Sequence, residues 1–192
     1  SATVGSVVGT DPEAFAESRY IINWGSNTAV TNMHLWVRMH RARQQGARIV
    51  TIDPYRCRTA ERSDWHIRPR VGTDAALALG LMHILFRDGL VDRDYMERHC
   101  LGTEAFEERV SRDWSPQRAS DVTGVPVDDI EQLAREYATT PPAAIRINYG
   151  MQRHAGGGMA VRTISCLPAV IGAWRHRAGG VLLSTSGNYP FA

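Results

Sequence analysis

The chain has 192 residues, 43% of them hydrophobic and 22% charged, which allows one substantial core and is typical of an ordinary globular domain. Its formal net charge of +2 is too small and too evenly spread for an electrostatic nucleic-acid footprint. The longest apolar run, residues 75–86, is interrupted by Gly80 and His83, so no transmembrane segment is predicted.

The first third of the chain alternates between strand and helix patterns. Residues 1–10 are small and show no period, so we interpret them as a segment that leads in from a missing neighbouring domain. Residues 11–13 open a short helix with a capping acid and a proline in the first turn. Residues 20–23 predict the first buried strand, residues 32–45 an amphipathic helix and residues 48–52 a second strand. This order predicts a βαβ crossover.

The middle of the chain is mainly helical. A polar loop at residues 54–63 leads to a short extended piece at residues 65–67. Thr73 is the predicted N-cap of a helix at residues 74–88, which is apolar on nearly all sides and should be deeply buried. The three short helices of a small helical insertion follow at residues 92–99, 104–110 and 116–121.

The last third returns to the strand and helix alternation. A strong amphipathic helix begins at Pro126, and Pro141-Pro142 breaks it. Residues 143–148 predict another strand, residues 150–158 a loop and residues 159–171 an apolar helix bent at Pro168. Beyond Arg175 the chain is rich in glycine, serine and proline, so we interpret it as a connection to another domain.

These elements predict an α/β fold, a three-layer Rossmann-like domain with a mainly parallel sheet and a small helical insertion. We expect residues 11–175 to form this domain, with residues 1–10 leading in and residues 176–192 leading out. A cytoplasmic location is expected, although an export signal could lie in a missing N-terminal part.

Three loops rich in glycine, asparagine and aspartate each follow a short apolar run. They lie at residues 24–28, 53–54 and 72–74. Loops at the carboxyl ends of parallel strands are where α/β sheets hold nucleotides. The pattern therefore predicts a nucleotide cradle in which the three loops converge.

The first loop has features that suit a pyrophosphate. Gly25 lacks a Cβ, so the amides beside it could approach the ligand closely, and the next helix would add partial positive charge. Side-chain donors would come from Ser26, Asn27, Thr28 and Thr31. An ordinary capped strand-to-helix turn explains the same residues, and the loop is not the G-x-G-x-x-G fingerprint.

Two acids suit the nucleoside. Asp53 follows the second strand, where dinucleotide folds place an acid that accepts from ribose hydroxyls, but an Asp-Pro turn explains it equally. Asp74 has two acceptor oxygens that match the N1–H and exocyclic amine of guanine. Stabilisation of the helix dipole is its alternative explanation.

The tract at residues 150–157 could present Arg153 or His154 to a ligand phosphate or ring, or could be a flexible link before a helix. Cys57, Cys100 and Cys166 lie far apart without C-x-x-C spacing, and the histidines lack ligand spacing. We therefore predict neither a metal ligand nor a catalytic residue in this chain.

Several segments of the sequence resemble corresponding segments of the molybdopterin oxidoreductases of the dimethyl sulfoxide reductase and formate dehydrogenase type. The resemblance covers nearly the whole chain and is specific in order and spacing. The segments are residues 23–27, 46–54, 58–60, 72–77, 89–95, 123–126 and 150–157.

The resemblance implies that this chain is one cofactor-binding domain of a longer enzyme, in which molybdenum or tungsten lies between two molybdopterin guanine dinucleotides. It implies that residues 24–31 approach the pyrophosphate, that Asp53 contacts the nucleoside and that Thr73-Asp74 reads guanine. This chain has Val71 where the family more often has proline. The predicted cofactor-binding set is Trp24, Gly25, Ser26, Asn27, Thr28, Thr31, Asp53, Pro54, Gly72, Thr73, Asp74, Arg153 and His154.

The resemblance also implies parts that this chain lacks. They are a protein ligand for the metal, a domain for the second cofactor and a cysteine-rich segment for an iron–sulfur cluster. The expected partners are the remaining domains of the parent chain and an electron-transfer subunit. The intact enzyme would perform metal-centred two-electron redox chemistry, and this fragment alone is predicted to be inactive. The alternatives are an NAD- or FAD-binding dehydrogenase domain and a non-catalytic nucleotide-binding module.

Overall fold

The computed structural model describes residues 9–183, and the statements below concern that part of the chain. Its strands are β1 (Tyr20–Trp24), β2 (Arg48–Ile52), β3 (Trp65–Ile67), β4 (Ala143–Ile147) and β5 (Gly180–Leu182). They form one sheet in the order β3-β2-β1-β4-β5, and every neighbouring pair is parallel. The predicted α/β fold class is confirmed.

Helices cover both faces of the sheet. A 3₁₀ helix, Pro12–Glu17, precedes β1. The α-helices are α1 (Thr28–Thr31), α2 (Met33–Gln44), α3 (Arg58–Glu61), α4 (Asp74–Arg87), α5 (Arg93–His99), α6 (Thr103–Asp113), α7 (Pro116–Thr123), α8 (Val127–Thr139) and α9 (Gly157–Val170). Two further 3₁₀ turns, Tyr149–Gln152 and Ala173–Arg175, flank α9.

Alternation along the strands divides the core between the two faces. Ile22 and Ile145 belong to the larger cluster, which α4, α8 and α9 complete. Ile21 and Ile49 belong to a smaller cluster that contains Leu35 of α2. Helix α4 is buried on almost every side, as its apolar sequence predicts. The domain is therefore three-layered, with the sheet in the middle.

Two short helices interrupt regions that the sequence predicts as loops. Residues 54–63 were expected to be loop throughout, but α3 occupies residues 58–61. Helix α1 forms one turn directly before α2. Each has four residues, which is too short for an apolar period of 3.6 to be visible in the sequence. The tract at residues 150–158 likewise contains a 3₁₀ turn and the start of α9.

The interpretation of the segment beyond Arg175 as a mere connection is wrong for residues 180–182. These residues form β5, which pairs with Ala144–Arg146 on β4. The strand begins at the second residue of the Gly179-Gly180 pair, so the local composition hides it. The predicted domain limit at residue 175 is therefore too early, whereas the limit at residue 10 stays a prediction, because residues 1–8 lie outside the described residues. In residues 9–183, no helix combines the length and apolarity that a bilayer crossing needs.

Candidate nucleotide-binding site

The three predicted loops meet at one end of the sheet. A cavity of about 190 Å³ lies at this end of the sheet. It is enclosed by the loops that follow β1 and β2, by the turn before α4 and by the tract after β4. Its lining residues are Gly25, Asp53, Pro54, Arg70, Val71, Gly72, Asp74, Gly150, Met151 and His154. The strand order 3-2-1-4-5 places this cavity near the switch point between β1 and β4, where doubly wound folds bind ligands.

Buried hydroxyl groups hold the first loop in shape. The Thr28 hydroxyl donates to Asn23 Oδ1 at 2.6 Å. The Ser26 hydroxyl, 2.9 Å away, therefore donates its own proton to Thr28 Oγ1. Both side chains are almost fully buried, and neither lines the cavity. Their sequence-based role as ligand donors therefore gains no support from their placement.

The other two predicted donors of this loop also bind protein groups. Asn27 Oδ1 accepts from the Thr59 hydroxyl at 3.0 Å, and Thr59 Oγ1 in turn accepts from the Ala29 amide at 2.9 Å. The Thr31 hydroxyl donates to the Asn27 carbonyl. Neither Asn27 nor Thr31 lines the cavity. Helix α3 thus anchors the loop through Thr59, a residue to which the sequence analysis assigns no role in the site.

Two features of the fold require glycine at position 25, namely its backbone conformation and the close approach of Met151. Its φ of +56° lies in the left-handed region, and a Cβ there would be 2.8 Å from the Met151 methyl group. The next helix, α1, is a single turn, so its dipole is smaller than the predicted long helix would supply. The glycine is explained by the fold without any close approach of a pyrophosphate.

Trp24 and Asp74 connect the first and third loops. The buried Trp24 indole donates from Nε1 to Asp74 Oδ1 at 2.8 Å. This hydrogen bond fixes the carboxylate plane and leaves Oδ2 as its other acceptor. Trp24 itself does not line the cavity. The contact makes Trp24 a positioning residue for the predicted guanine-reading acid.

The side chain of Thr73 does not cap α4, contrary to the prediction. Its hydroxyl donates to the Arg70 carbonyl at 2.7 Å, and no helix amide donates to it. Gly72, with a φ of +81°, makes the tight turn between Arg70 and Thr73. The turn carries Asp74 to the cavity.

Asp53 is a half-buried acid. Burial, the largest cause, raises the pKa of its carboxyl, and the nearby negative charge of Asp74 raises it further. The Tyr55 amide donates to Asp53 Oδ1 at 2.8 Å, which opposes that rise. The same bond forms the turn that the sequence offers as the alternative explanation.

His154 lines the cavity, whereas the exposed Arg153 does not. The Nδ1 atom of His154 lies 2.8 Å from the Ala155 carbonyl oxygen. Because a carbonyl only accepts, Nδ1 carries the proton, and Nε2 of the neutral ring is left as an acceptor. His154 also lies beside Gly72, which brings the fourth predicted segment to the same cavity.

Four lining residues are absent from the predicted cofactor-binding set, namely Arg70, Val71, Gly150 and Met151. The Arg70 guanidinium donates to the carbonyl groups of Asp121 and Val122 at the end of α7, at 2.6 and 3.3 Å. It is thus engaged with the protein. Asp53 and Asp74 offer carboxylate oxygens to the hydrogen-bond donors of a ligand, and the Arg70 guanidinium, bonded to neutral carbonyl groups, keeps its positive charge at the same cavity.

A larger cavity of about 810 Å³ lies elsewhere, between α5, α6 and α9. Cys100 and Cys166 line it, and burial raises the pKa of both thiols, which disfavours the reactive thiolate. None of the predicted cofactor-binding residues lines this cavity. Within residues 9–183, no group of three or more His, Cys, Asp or Glu side chains is arranged to hold a metal ion.

A doubly wound sheet with a pocket at its switch point is an architecture that nucleotide-binding α/β domains share, and comparisons with known proteins narrow the class of this chain. The family model described as Molybdopterin oxidoreductase matches residues 2–188. This chain belongs to the molybdopterin oxidoreductase family. The resemblance inferred from the sequence is confirmed.

Individual relatives agree with this assignment. The chain is 44% identical over 185 residues to the probable oxidoreductase YoaE of Bacillus subtilis, covering 96% of this chain and 27% of the relative. It is 34% identical over 187 residues to the dimethyl sulfoxide reductase DmsA of Escherichia coli, covering 85% and 23%. Acetylene hydratase from Pelobacter acetylenicus matches in structure with a TM-score of 0.79 and 29% identity, covering 89% and 23%. The chain thus spans about a quarter of each of these relatives.

Proposed function

We propose that this chain binds the guanosine end of one molybdopterin guanine dinucleotide. The observation that carries the proposal is the pair of carboxylates, Asp53 and Asp74, on one small cavity at the carboxyl ends of the strands. Guanine presents a donor edge and ribose presents hydroxyl groups, so both match carboxylate acceptors. Membership of the molybdopterin oxidoreductase family supports a pterin-linked nucleotide over a free one.

The cavity fits part of such a cofactor. Its volume of about 190 Å³ is below the roughly 300–1,000 Å³ of pockets that enclose a whole ligand. A nucleoside can occupy it, with the remainder of the dinucleotide extending along the sheet edge. In this arrangement Asp74 Oδ2 accepts from the guanine edge while Trp24 holds Oδ1. Asp53 accepts from ribose, and His154 Nε2 offers a further acceptor.

Catalysis is assigned to the longer protein of which this chain would be one part. The bound cofactor would supply metal-centred two-electron chemistry with molybdenum or tungsten. This chain's residues would bind and orient the nucleotide, and the chain alone would be inactive. The other domains of the parent, an iron–sulfur cluster in its N-terminal part and an electron-transfer subunit would complete a cytoplasmic enzyme.

The test is calorimetric titration of the 192-residue chain with guanosine diphosphate and with NAD. We expect weak binding of guanosine diphosphate and no detectable binding of NAD. In Asp74→Ala, the loss of a charge-assisted contact worth ~1–3 kcal/mol should weaken guanosine diphosphate binding by about fivefold to 150-fold. In the full-length parent, the same substitution should lower the molybdenum content.

Asp128→Ala is the matched control, because Asp128 is also an acid in the first turn of a helix, α8, and does not line the cavity. If Asp74 only stabilises the helix dipole, both variants should lose stability and keep nucleotide binding. Binding of NAD without a response to guanosine diphosphate would favour the dehydrogenase alternative and end the proposal.

A further inference from the structure

The larger cavity, between α5, α6 and α9, has the size of a ligand pocket. Its volume of about 810 Å³ falls within the roughly 300–1,000 Å³ of pockets that enclose a small molecule. It shares no lining residue with the smaller cavity at the sheet edge. One face of α9 forms a wall, because the lining residues of this helix recur every three or four positions. They are Arg162, Ser165, Cys166, Ala169 and Val170.

Most of the lining is aromatic, aliphatic or sulfur-containing. The ring of Phe106 packs edge-on against Phe86, with 6.4 Å between the ring centroids. The Arg175 guanidinium lies 5.3 Å from the ring centroid of Tyr95. These contacts hold two of the rings in place, and fixed rings favour a flat apolar ligand that packs against them. The aromatic and sulfur-containing residues of the lining are Tyr95, Phe106, Trp174, Met96, Cys100 and Cys166.

The mouth of the cavity also exposes an apolar side chain. Leu101, between α5 and α6, has a relative exposure of 102%, although it lines the cavity. The next residue, Gly102, has a φ of +74°, which forms the turn between the two helices. A fully exposed leucine beside a pocket is a feature of surfaces that bind an apolar group.

Arg162 supplies a positive charge to this apolar cavity. It is the only Arg, Lys, Asp or Glu residue in the lining. Burial raises the pKa of the Cys166 thiol, and the charge of Arg162 opposes that rise, so the guanidinium lies close to the lining sulfur atom. In residues 9–183 the guanidinium makes no hydrogen bond or ion pair with a protein group. Its five N–H donors are therefore available to a ligand.

The neighbouring polar groups of α9 are already bonded within the helix. The Ser165 hydroxyl donates to the Val161 carbonyl at 2.8 Å, and the Cys166 thiol donates to the Arg162 carbonyl at 3.4 Å. The sequence of residues 1–8 and 184–192 contains no Asp or Glu that could pair with Arg162. The charge of Arg162 is thus matched by no acid of this chain.

The chemistry of the walls and of Arg162 together defines the ligand. A guanidinium binds the two oxygens of a carboxylate in a paired contact. One carboxylate matches the single positive charge, whereas a doubly charged phosphate would place an unmatched charge beside apolar walls. The ligand that fits is therefore a carboxylate on an aromatic body.

We propose that the cavity between α5, α6 and α9 binds a small aromatic carboxylate, whose rings pack against the apolar walls and whose carboxylate pairs with Arg162. This inference goes beyond the proposed binding of guanosine and does not depend on it, because the two cavities have separate linings. Binding is non-covalent, and neither thiol reacts.

The test is calorimetric titration of the 192-residue chain with 2-naphthoate, a carboxylate on two fused aromatic rings. Two analogues separate the parts of the ligand. The amide 2-naphthamide keeps the rings without the charge, and acetate keeps the charge without the rings. We expect 2-naphthoate to bind, 2-naphthamide to bind about fivefold or more weakly, and acetate to give no detectable binding.

Arg162→Met tests the charge. In this variant the affinity for 2-naphthoate should fall by about fivefold or more, while the affinity for the uncharged 2-naphthamide should stay as in the wild type. The matched control is Arg41→Met, which removes the same charge from the exposed surface of α2. It should bind 2-naphthoate like the wild type.

Two measurements locate the ligand. Ala169→Trp places a large side chain in the cavity and should abolish binding of both naphthalene compounds. If this variant does not fold, hydrogen exchange in the wild type replaces it. Bound 2-naphthoate should slow amide exchange in residues 95–106 and 162–170 and leave residues 70–74 of the smaller cavity unchanged.

Several outcomes would overturn the inference. They are a wild-type chain that does not bind 2-naphthoate, equal affinities for 2-naphthoate and 2-naphthamide, an unchanged affinity in Arg162→Met, and slower exchange only outside the cavity walls. A full-length parent that fails to bind 2-naphthoate, although the 192-residue chain binds it, would show that protein fills the cavity and would end the small-molecule inference. If 2-naphthoate binds and guanosine diphosphate does not, this inference stands and the guanosine proposal fails.

Discussion

At the scale of single residues, the two cavity acids each have one oxygen that serves the fold. Asp53 Oδ1 accepts from the Tyr55 amide, and Asp74 Oδ1 accepts from the Trp24 indole. Each contact orients its carboxylate and leaves the other oxygen for a ligand. The alternatives offered by the sequence, a turn at Asp53 and a ligand contact, are therefore compatible with one another.

Asp53→Asn should stabilise the ligand-free chain at neutral pH. The folded-state pKa of Asp53 is raised above the ordinary 3.8, mainly by burial, so its deprotonation costs stability above that raised value. The gain in the variant should be present at pH 7 and should disappear as the pH falls below 3.8, where folded and unfolded carboxyls are both protonated. Thermal unfolding across this pH range measures it.

Asp92→Asn is a control variant in which the change in stability should have the opposite sign. Hydrogen bonds from Arg175 lower the pKa of Asp92, so removing its charge should lower the unfolding midpoint at neutral pH. Asparagine can still accept from the Tyr95 amide, so the cap of α5 is kept. A lower midpoint at pH 7 for Asp53→Asn would show that its turn contact outweighs the cost of burying its charge.

At the scale of secondary-structure elements, the sequence correctly predicts the helices and strands that have a strong hydrophobic period. The strand at residues 48–52 and the helices α2, α4 and α8 agree with their predictions to within two residues at each end. The one-turn helices and β5 are missed, since three or four residues cannot show a period. Their placement depends on tertiary partners, as the contact of α3 through Thr59 illustrates.

The same limit applies to the site. The loops with Gly25 and Asp53 are predictable because each follows an apolar strand. The loop with Asp74 is predictable because an apolar helix begins there. Arg70 and Met151 reach the cavity through turns whose geometry no local pattern encodes.

Packing between α4 and α7 depends on Gly80. A Cβ at this position would collide with the Cβ of Ala119, which is fully buried. Gly80→Ala should therefore destabilise the chain by about 1–3 kcal/mol, because overpacking outweighs the higher helix propensity of alanine. Gly158→Ala, in open space near the start of α9, should instead stabilise it by roughly 0.5 kcal/mol. Urea unfolding measures both, and equal effects of the two variants would contradict this view of α4.

At the scale of the whole molecule, the strand order determines which residues lie on each side of the site. Asp53 follows β2 on one side of the switch point, and His154 lies in the tract that follows β4 on the other side. In the proposed complex, the donor-rich base of the nucleotide would lie at the two acids. An NAD- or FAD-binding dehydrogenase domain would instead bind the phosphate at a G-x-G-x-x-G turn, and the sequence of this chain has no such turn.

Guanosine diphosphate should therefore protect several separate segments from hydrogen exchange at once. We expect slower amide exchange in residues 25–28, 53–57, 70–74 and 148–154, because one ligand contacts or stiffens every loop at this edge. The walls of the larger cavity between α5, α6 and α9 provide the internal control and should exchange as before. Protection confined to that control region would relocate the ligand to the larger cavity. Protection of the first loop alone would mean that the loops adjoin without acting as one site.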